Sequence, residues 1–164
     1  MKTKKVNWKT FMSILISILF FTDLGLSQNI TSGNRPKTPI MGWASWNNFH
    51  VKIDEKTIQS QADFMVSTGM HDEGYSYINI DDGYFGGRDK NGNLLINLKK
   101  FPQGMKAVAD YIHFKGLKAG IYSDAGINTC TSKWDKDTIG SGCGLFGHEH
   151  QDLNMVLKDW GSTS

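Results

Sequence analysis

Proline is scarce in this chain, at three residues in 164, and cysteine is scarcer, at two. The first shortage excludes a collagen-like or proline-rich polymer, and the second excludes a disulfide-dense mini-protein. Charge of one sign is missing too, since 18 basic and 16 acidic side chains leave a net of only +2. Lys2, Lys4, Lys5, Lys9 and Asp23 belong to an N-terminal leader; without them 14 basic side chains face 15 acidic ones, a net of −1. That balance gives a polyanion nothing to bind, so no nucleic-acid partner is expected. Long hydrophobic runs are absent as well. Phe11 to Phe21 is an apolar stretch of 11 residues, whereas a bilayer-spanning helix needs ~20, so no stable membrane anchor is expected.

What is present begins with that leader. The positive segment Lys2 to Lys9, the apolar run, and Gly25 and Ser27 at positions −3 and −1 read as a secretory signal cleaved before Gln28. Residues 1–27 are therefore assigned as a signal peptide, which predicts export to the periplasm or the extracellular space, and residues 28–37 as a polar spacer. Removing 27 residues from 164 leaves 137, enough for one ordinary domain but fewer than the ~250 of a usual barrel enzyme. An oxidising compartment permits a disulfide between Cys130 and Cys143, while two thiols alone do not make a structural zinc site. His148-Glu149-His150 places its histidines at i and i+2, which a helix cannot put on one face. No metal is expected there, only a solvated loop before a helix.

From Thr38 onward short apolar runs alternate with amphipathic stretches of helical length, a β-α-β-α-β rhythm. The first strand is expected at Ile40 to Ser45. Asp54 then caps a helix with Ile58, Ala62, Met65 and Val66 on one face, Ile53 and Ile58 as its hydrophobic staple, and Gly69 past its end. A second strand is expected at Tyr75 to Ile80, ending in Asp81-Asp82-Gly83. Gly86-Gly87 and Asp89 to Asn93 read as turns. The next helix carries Met105, Val108, Ala109 and Ile112 and stops at Lys115-Gly116. A third strand is expected at Leu117 to Tyr122, and a third helix at Gln151 to Trp160 with Leu153, Val156, Leu157 and Trp160 as its stripe. The fold class is α/β, either a doubly wound sheet or the first part of a (β/α)8 barrel. No G-x-G-x-x-G turn follows the first strand, which counts against dinucleotide binding.

Parallel α/β folds collect their active groups at strand C-termini, which here means Trp43, Trp46, Asp81, Asp82, Tyr122 and Asp124. Position alone equally allows tryptophans in the core and aspartates capping loops. As a site, the set suits a sugar, because carboxylates accept hydrogen bonds from hydroxyls and an indole face packs on the C–H face of a pyranose. Asp81 and Asp82 do not suit the acid and nucleophile of a retaining glycosidase. Successive strand side chains point to opposite faces, whereas that pair must face one bond ~5 to 5.5 Å apart. They read instead as hydroxyl binders.

Several segments then carry a family resemblance: Thr38 to Asn47 (T-P-I-M-G-W-A-S-W-N), Gly74-Tyr75 to Asp82, Arg88-Asp89 with Gly92, Phe101 to Lys106 (F-P-Q-G-M-K), Lys115 to Gly126, and Gly147-His148-Glu149. In this order they resemble glycoside hydrolase family 27, the α-galactosidase or melibiase family, from about Thr38 to Gly161. The resemblance implies a retaining glycosidase with a (β/α)8 TIM barrel and a carbohydrate substrate carrying a terminal α-galactosyl group. It implies no metal or organic cofactor. By position, Trp43 resembles the tryptophan of the galactose pocket, Asp81 and Asp82 the pair that binds sugar hydroxyls, Tyr122 a pocket tyrosine, and Cys130 a half-cystine whose partner follows the nucleophile.

Departures accompany the resemblance. Family members commonly carry a disulfide between the positions of Val51 and Gly83, and Tyr84 replaces a frequent tryptophan. Cys143 has no counterpart. After Trp160-Gly161 the family continues into a fourth strand ending L-K-x-D, whose Asp is the nucleophile, with the acid/base Asp later still. Neither is present in this sequence. Residues 38–164 are thus expected to form the first three β/α units of a TIM barrel truncated before the fourth strand, with part of a galactoside pocket and no catalytic residue. The related activities of α-N-acetylgalactosaminidase or β-L-arabinopyranosidase remain alternatives, as does a non-catalytic galactose-binding remnant.

Overall fold

The computed structural model describes residues 39–160, so the expected signal peptide and the spacer lie outside the described residues. β1 (Gly42–Ala44) leads to α1 (Trp46–Phe49) and α2 (Glu55–Ser67). β2 (Tyr77–Ile80) is followed by two short strands, β3 (Phe85–Arg88) and β4 (Leu94–Ile96), and by α3 (Gly104–Phe114). β5 (Lys118–Ile121) leads to α4 (Cys130–Trp134) and α5 (Glu149–Lys158). β1, β2 and β5 form a parallel sheet in that order, with Trp43 opposite Ile78 and Ile78 opposite Ala119. Each of these strands is shorter than the apolar run that signals it. The α/β class with parallel strands is as expected, and among the described residues β1 and β5 are the sheet's edges.

The start of α2 follows from three local signals. Asp54 is extended (φ −146°) and its carboxylate accepts from the Thr57 amide at 2.7 Å, satisfying one of the amides that a helix start leaves unpaired. Ile53 and Ile58 are both buried as the staple requires. Gly69, at φ +78°, takes the left-handed position just past the helix. Ile58, Ala62 and Met65 of α2 and Met105, Val108 and Ile112 of α3 then join Ile78 and Ile80 of β2 in one buried cluster. Every one of those side chains is at most 3% exposed. On the opposite face of the sheet Tyr77, Asn79 and Gly120 are only half-buried and Lys118 is exposed.

Two expectations are corrected. Gly86-Gly87 is not a turn, because both glycines lie inside β3, which pairs antiparallel with β4 around the Asp89–Asn93 turn. A Cβ on Gly86 would stand 2.6 Å from the Ile96 carbonyl oxygen, so here glycine permits close strand approach at an irregular pairing. The stripe of the last helix is only half right. Leu153 and Leu157 are exposed, while Asp152 is buried and Met155 and Trp160 pack on the core. Asp152 is drawn inward by Arg88 from β3, which rotates the helix away from its Leu153 and Leu157 face. Cys130 and Cys143, between which the sequence permits a disulfide without assigning one, are both free thiols among the described residues.

Candidate functional site

Of the five candidate residues, Asp81, Asp82 and Tyr122 lie just beyond the C-terminal ends of β2 and β5, Trp43 lies within β1, and Cys130 opens α4. Trp43 sits within β1, half-buried, with Phe49 edge-to-face against it at 5.9 Å between ring centroids. Two hydrogen bonds tie neighbouring strand ends together. The Asp81 amide donates to the fully buried Ser45 hydroxyl at 2.9 Å, joining the ends of β1 and β2, and the Tyr122 amide donates to the Ile80 carbonyl at 2.9 Å, joining β2 and β5. Trp43, Asp81 and Tyr122 are thereby presented from consecutive strands. Sequence reasoning missed the role of Ser45, although a small polar residue closing an apolar strand is a signal it could have used.

Asp81 and Asp82 occupy different environments. Asp81 is half-buried and its Oδ1 accepts from the Asp82 amide at 2.8 Å. Asp82 is fully buried and turned into the protein. Its Oδ2 accepts from the Thr131 amide at 2.9 Å, and its Oδ1 from the Gly83 amide at 2.7 Å and the Thr131 hydroxyl at 3.3 Å. Burial raises its pKa above the usual carboxylate value, against the pull of the Thr131 and Gly83 amides. Both oxygens of Asp82 thus hold the start of α4, whereas the Oδ2 of Asp81 accepts no hydrogen bond from the described residues.

Tyr122 and Cys130 do come together. The Tyr122 hydroxyl donates to Asp124 Oδ2 at 2.8 Å and lies 3.5 Å from Cys130 Sγ. Burial first, then these two partners, push the Tyr122 hydroxyl far above its ordinary value, so it remains protonated. The Tyr122 hydroxyl draws the Cys130 thiol down, but Asp124 and burial outweigh it and the thiol is raised overall. Cys130 in this setting is a protonated thiol and not an activated nucleophile. A polar cavity beside it is lined by Asp124, Thr129, Cys130 and Lys133. Tyr84 is tied to the same strand end. It is fully buried and donates its hydroxyl to the Tyr122 carbonyl at 2.9 Å.

His148-Glu149-His150 is not a loop before the last helix as expected: His148 stands at the N-cap of α5, Glu149 and His150 form its first turn, and His148 Nδ1 lies 3.2 Å from Gln151 Oε1. Among the described residues no group of three or more His, Cys, Asp or Glu side chains could hold a metal ion. None of the described helices is long and apolar enough to cross a membrane.

Parallel strands each followed by helices, with aromatic and carboxylate side chains near their C-terminal ends, define an α/β protein whose candidate site lies at that end of the sheet. The family model described as Alpha galactosidase A (Melibiase_2) matches residues 38–141. An α-galactosidase A of Cellvibrio japonicus is 53% identical over 125 residues, covering 76% of this chain and 28% of that protein. The crystal structure of α-galactosidase I from Mortierella vinacea superposes with a TM-score of 0.66 at 39% identity, over 76% of this chain and 29% of that one. An α-galactosidase from Saccharomyces cerevisiae, solved with raffinose, gives 0.65 at 38% identity over 73% and 24%. The chain belongs to this family, glycoside hydrolase family 27. It spans less than a third of the length of these relatives.

Proposed function

We propose that the chain is the N-terminal part, the first three β/α units, of an exported α-galactosidase-type retaining glycosidase. The whole enzyme would remove terminal α-D-galactosyl residues from oligo- or polysaccharides, with the nucleophile and the acid/base outside these 164 residues. The observation that carries this reading is the 53% identity to an α-galactosidase over the segment that holds every strand-end candidate. In this reading Trp43 offers its indole face to the sugar's C–H face, Asp81 serves the hydroxyls opposite the leaving group while the expected partner Asp82, buried with both oxygens occupied, holds the turn behind it, and Tyr122 and Cys130 wall the pocket next to the nucleophile. With an unshared oxygen, Asp81 is the carboxylate best placed to accept a hydroxyl directly. Once the barrel is complete, the nucleophile would form a covalent galactosyl intermediate while the acid/base protonates the leaving oxygen and then activates water.

The test joins residues 38–160 to the remaining barrel of the Cellvibrio japonicus relative and measures kcat/KM on three nitrophenyl glycosides. The reading requires the α-galactoside to be preferred over the α-N-acetylgalactosaminide and the β-L-arabinopyranoside. Preference for either of the others would reassign the substrate within the family. No hydrolysis of any would leave only the galactose-binding remnant. Export is tested separately by locating the mature chain, which should begin at Gln28, outside the cytoplasm.

A further inference from the structure

Lys100 lies just before α3, far in sequence from the loops it reaches. Its side-chain ammonium donates to the carbonyl of Val51, in the loop that leaves α1, and to the carbonyl of Gly83 at 2.8 Å, in the turn that follows β2. Its own main chain is fixed at both ends. The Lys100 amide donates to the Asn97 carbonyl at 3.0 Å, and its carbonyl accepts from the Glu55 amide at 2.9 Å. The two loops touch where the ammonium joins them. Gly83 stands at φ +106°, and a Cβ on it would come within 2.9 Å of Val51 Cα. The loops are in main-chain contact at this point, and the half-buried ammonium ties them through their backbone oxygens.

Surface loops ordinarily tolerate movement. The turn is tied elsewhere at the Asp81 amide, by the Ser45 hydroxyl, and at the Asp82 carboxylate, by Thr131, but among the described residues only Lys100 donates to the Gly83 carbonyl. Burial pulls the Lys100 ammonium below its ordinary pKa, and Asp137 after α4, Asp82 after β2 and Asp54 before α2 pull it back up. No carboxylate forms a salt bridge with it among the described residues, so the loop carbonyls are its hydrogen-bond partners.

We propose that Lys100 is a positioning residue for the sugar-binding turn: by donating to the Val51 and Gly83 carbonyls it holds Asp81-Asp82-Gly83 against the loop after the first strand and so sets the direction of Asp81. The role of Asp81 rests on the function proposed above. The test reads the geometry of the turn and not hydrolysis, so either claim can fail while the other stands.

In the full chain labelled with 15N and 13C, scalar couplings across hydrogen bonds should connect Lys100 Nζ to the carbonyl carbons of Val51 and Gly83. In Lys100→Met, amide exchange at Asp82 and Gly83 should accelerate about tenfold more than at Ile78 and Ala119 in the sheet. The Asp82 carboxyl should also titrate higher, having lost a nearby positive charge. Lys100→Arg, which keeps the charge and the donors, should return both readouts toward the wild type. Missing couplings overturn the proposal. So does Lys100→Met if exchange in the turn rises only as much as in the sheet, because that is what simple destabilisation produces. If Lys100→Met does not fold, the wild-type couplings and the Lys100→Arg exchange decide the matter.

Discussion

Arg88 and Asp152 meet fork to fork, Nη1 on Oδ1 at 2.8 Å and Nη2 on Oδ2 at 2.6 Å, with side chains only 10% and 4% exposed. The same guanidinium donates to the carbonyls of Gly92 at 2.8 Å, Gly142 at 3.0 Å and Gly144 at 2.9 Å. One side chain thereby fastens the β3–β4 hairpin, the loop before α5 and α5 itself. Removing one partner of such a pair leaves a buried charge without compensation. Asp152→Ala should therefore lower stability by about 3–5 kcal/mol in urea unfolding. Arg88→Met combined with Asp152→Leu should cost clearly less than the two single changes added together. Additive costs would mean that the pair is not coupled.

Asp54 supplies a smaller and cleaner test. Asp54→Ala should cost about 1 kcal/mol by removing the cap of α2. Hydrogen bonds from Thr57 hold the Asp54 carboxyl below its ordinary value. A depressed folded pKa gives a contribution present above the ordinary carboxylate value and lost as pH falls through the lowered one. The stability difference between wild type and Asp54→Ala should thus shrink in acid. A gap independent of pH would show that the charge of Asp54 contributes nothing.

Asp82 carries the opposite sign. Burial raises its folded pKa, so the folded chain holds that proton to higher pH than the unfolded chain does. Stability from this group then falls as pH rises from the ordinary carboxylate value through the raised one. Asp82→Asn, which has no proton to lose, should lack this fall. Wild type should lose its advantage over Asp82→Asn across that window, as read from urea midpoints at successive pH values. An advantage that grows with pH would contradict the burial argument.

Local features were legible in the sequence, and long-range ones were not. Asp54, the Ile53–Ile58 pair and Gly69 announce α2 because capping chemistry acts within a few residues. The strand-end positions of Trp43, Asp81 and Tyr122 were likewise readable, because polar groups interrupt apolar runs there. Gly86-Gly87 misled because glycine serves both turns and close strand contacts, and only the Ile96 carbonyl decides between them. The orientation of α5 was hidden because its determinant, Arg88, lies 64 residues from Asp152. The burial of Asp82 was hidden in the same way, since Thr131, 49 residues on, occupies its carboxylate.

In the enzyme completed with a relative's barrel, Asp81→Asn should leave folding intact and reduce kcat/KM for the α-galactoside roughly tenfold to a hundredfold. That is the size of one hydrogen bond to a charged acceptor, ~1.5–3 kcal/mol. Unchanged efficiency would move Asp81 from the site to the loop's own structure.

The division of labour proposed for this chain, a sugar-binding wall without a catalytic pair, is tested most directly by incubating the 164-residue chain alone with nitrophenyl α-galactoside. A wall without nucleophile and proton donor cannot split hydrolysis into two easier steps, so nitrophenol release should not exceed the buffer control. Release above that control, abolished by Asp81→Asn, would show that this chain holds catalytic groups of its own and would contradict the account.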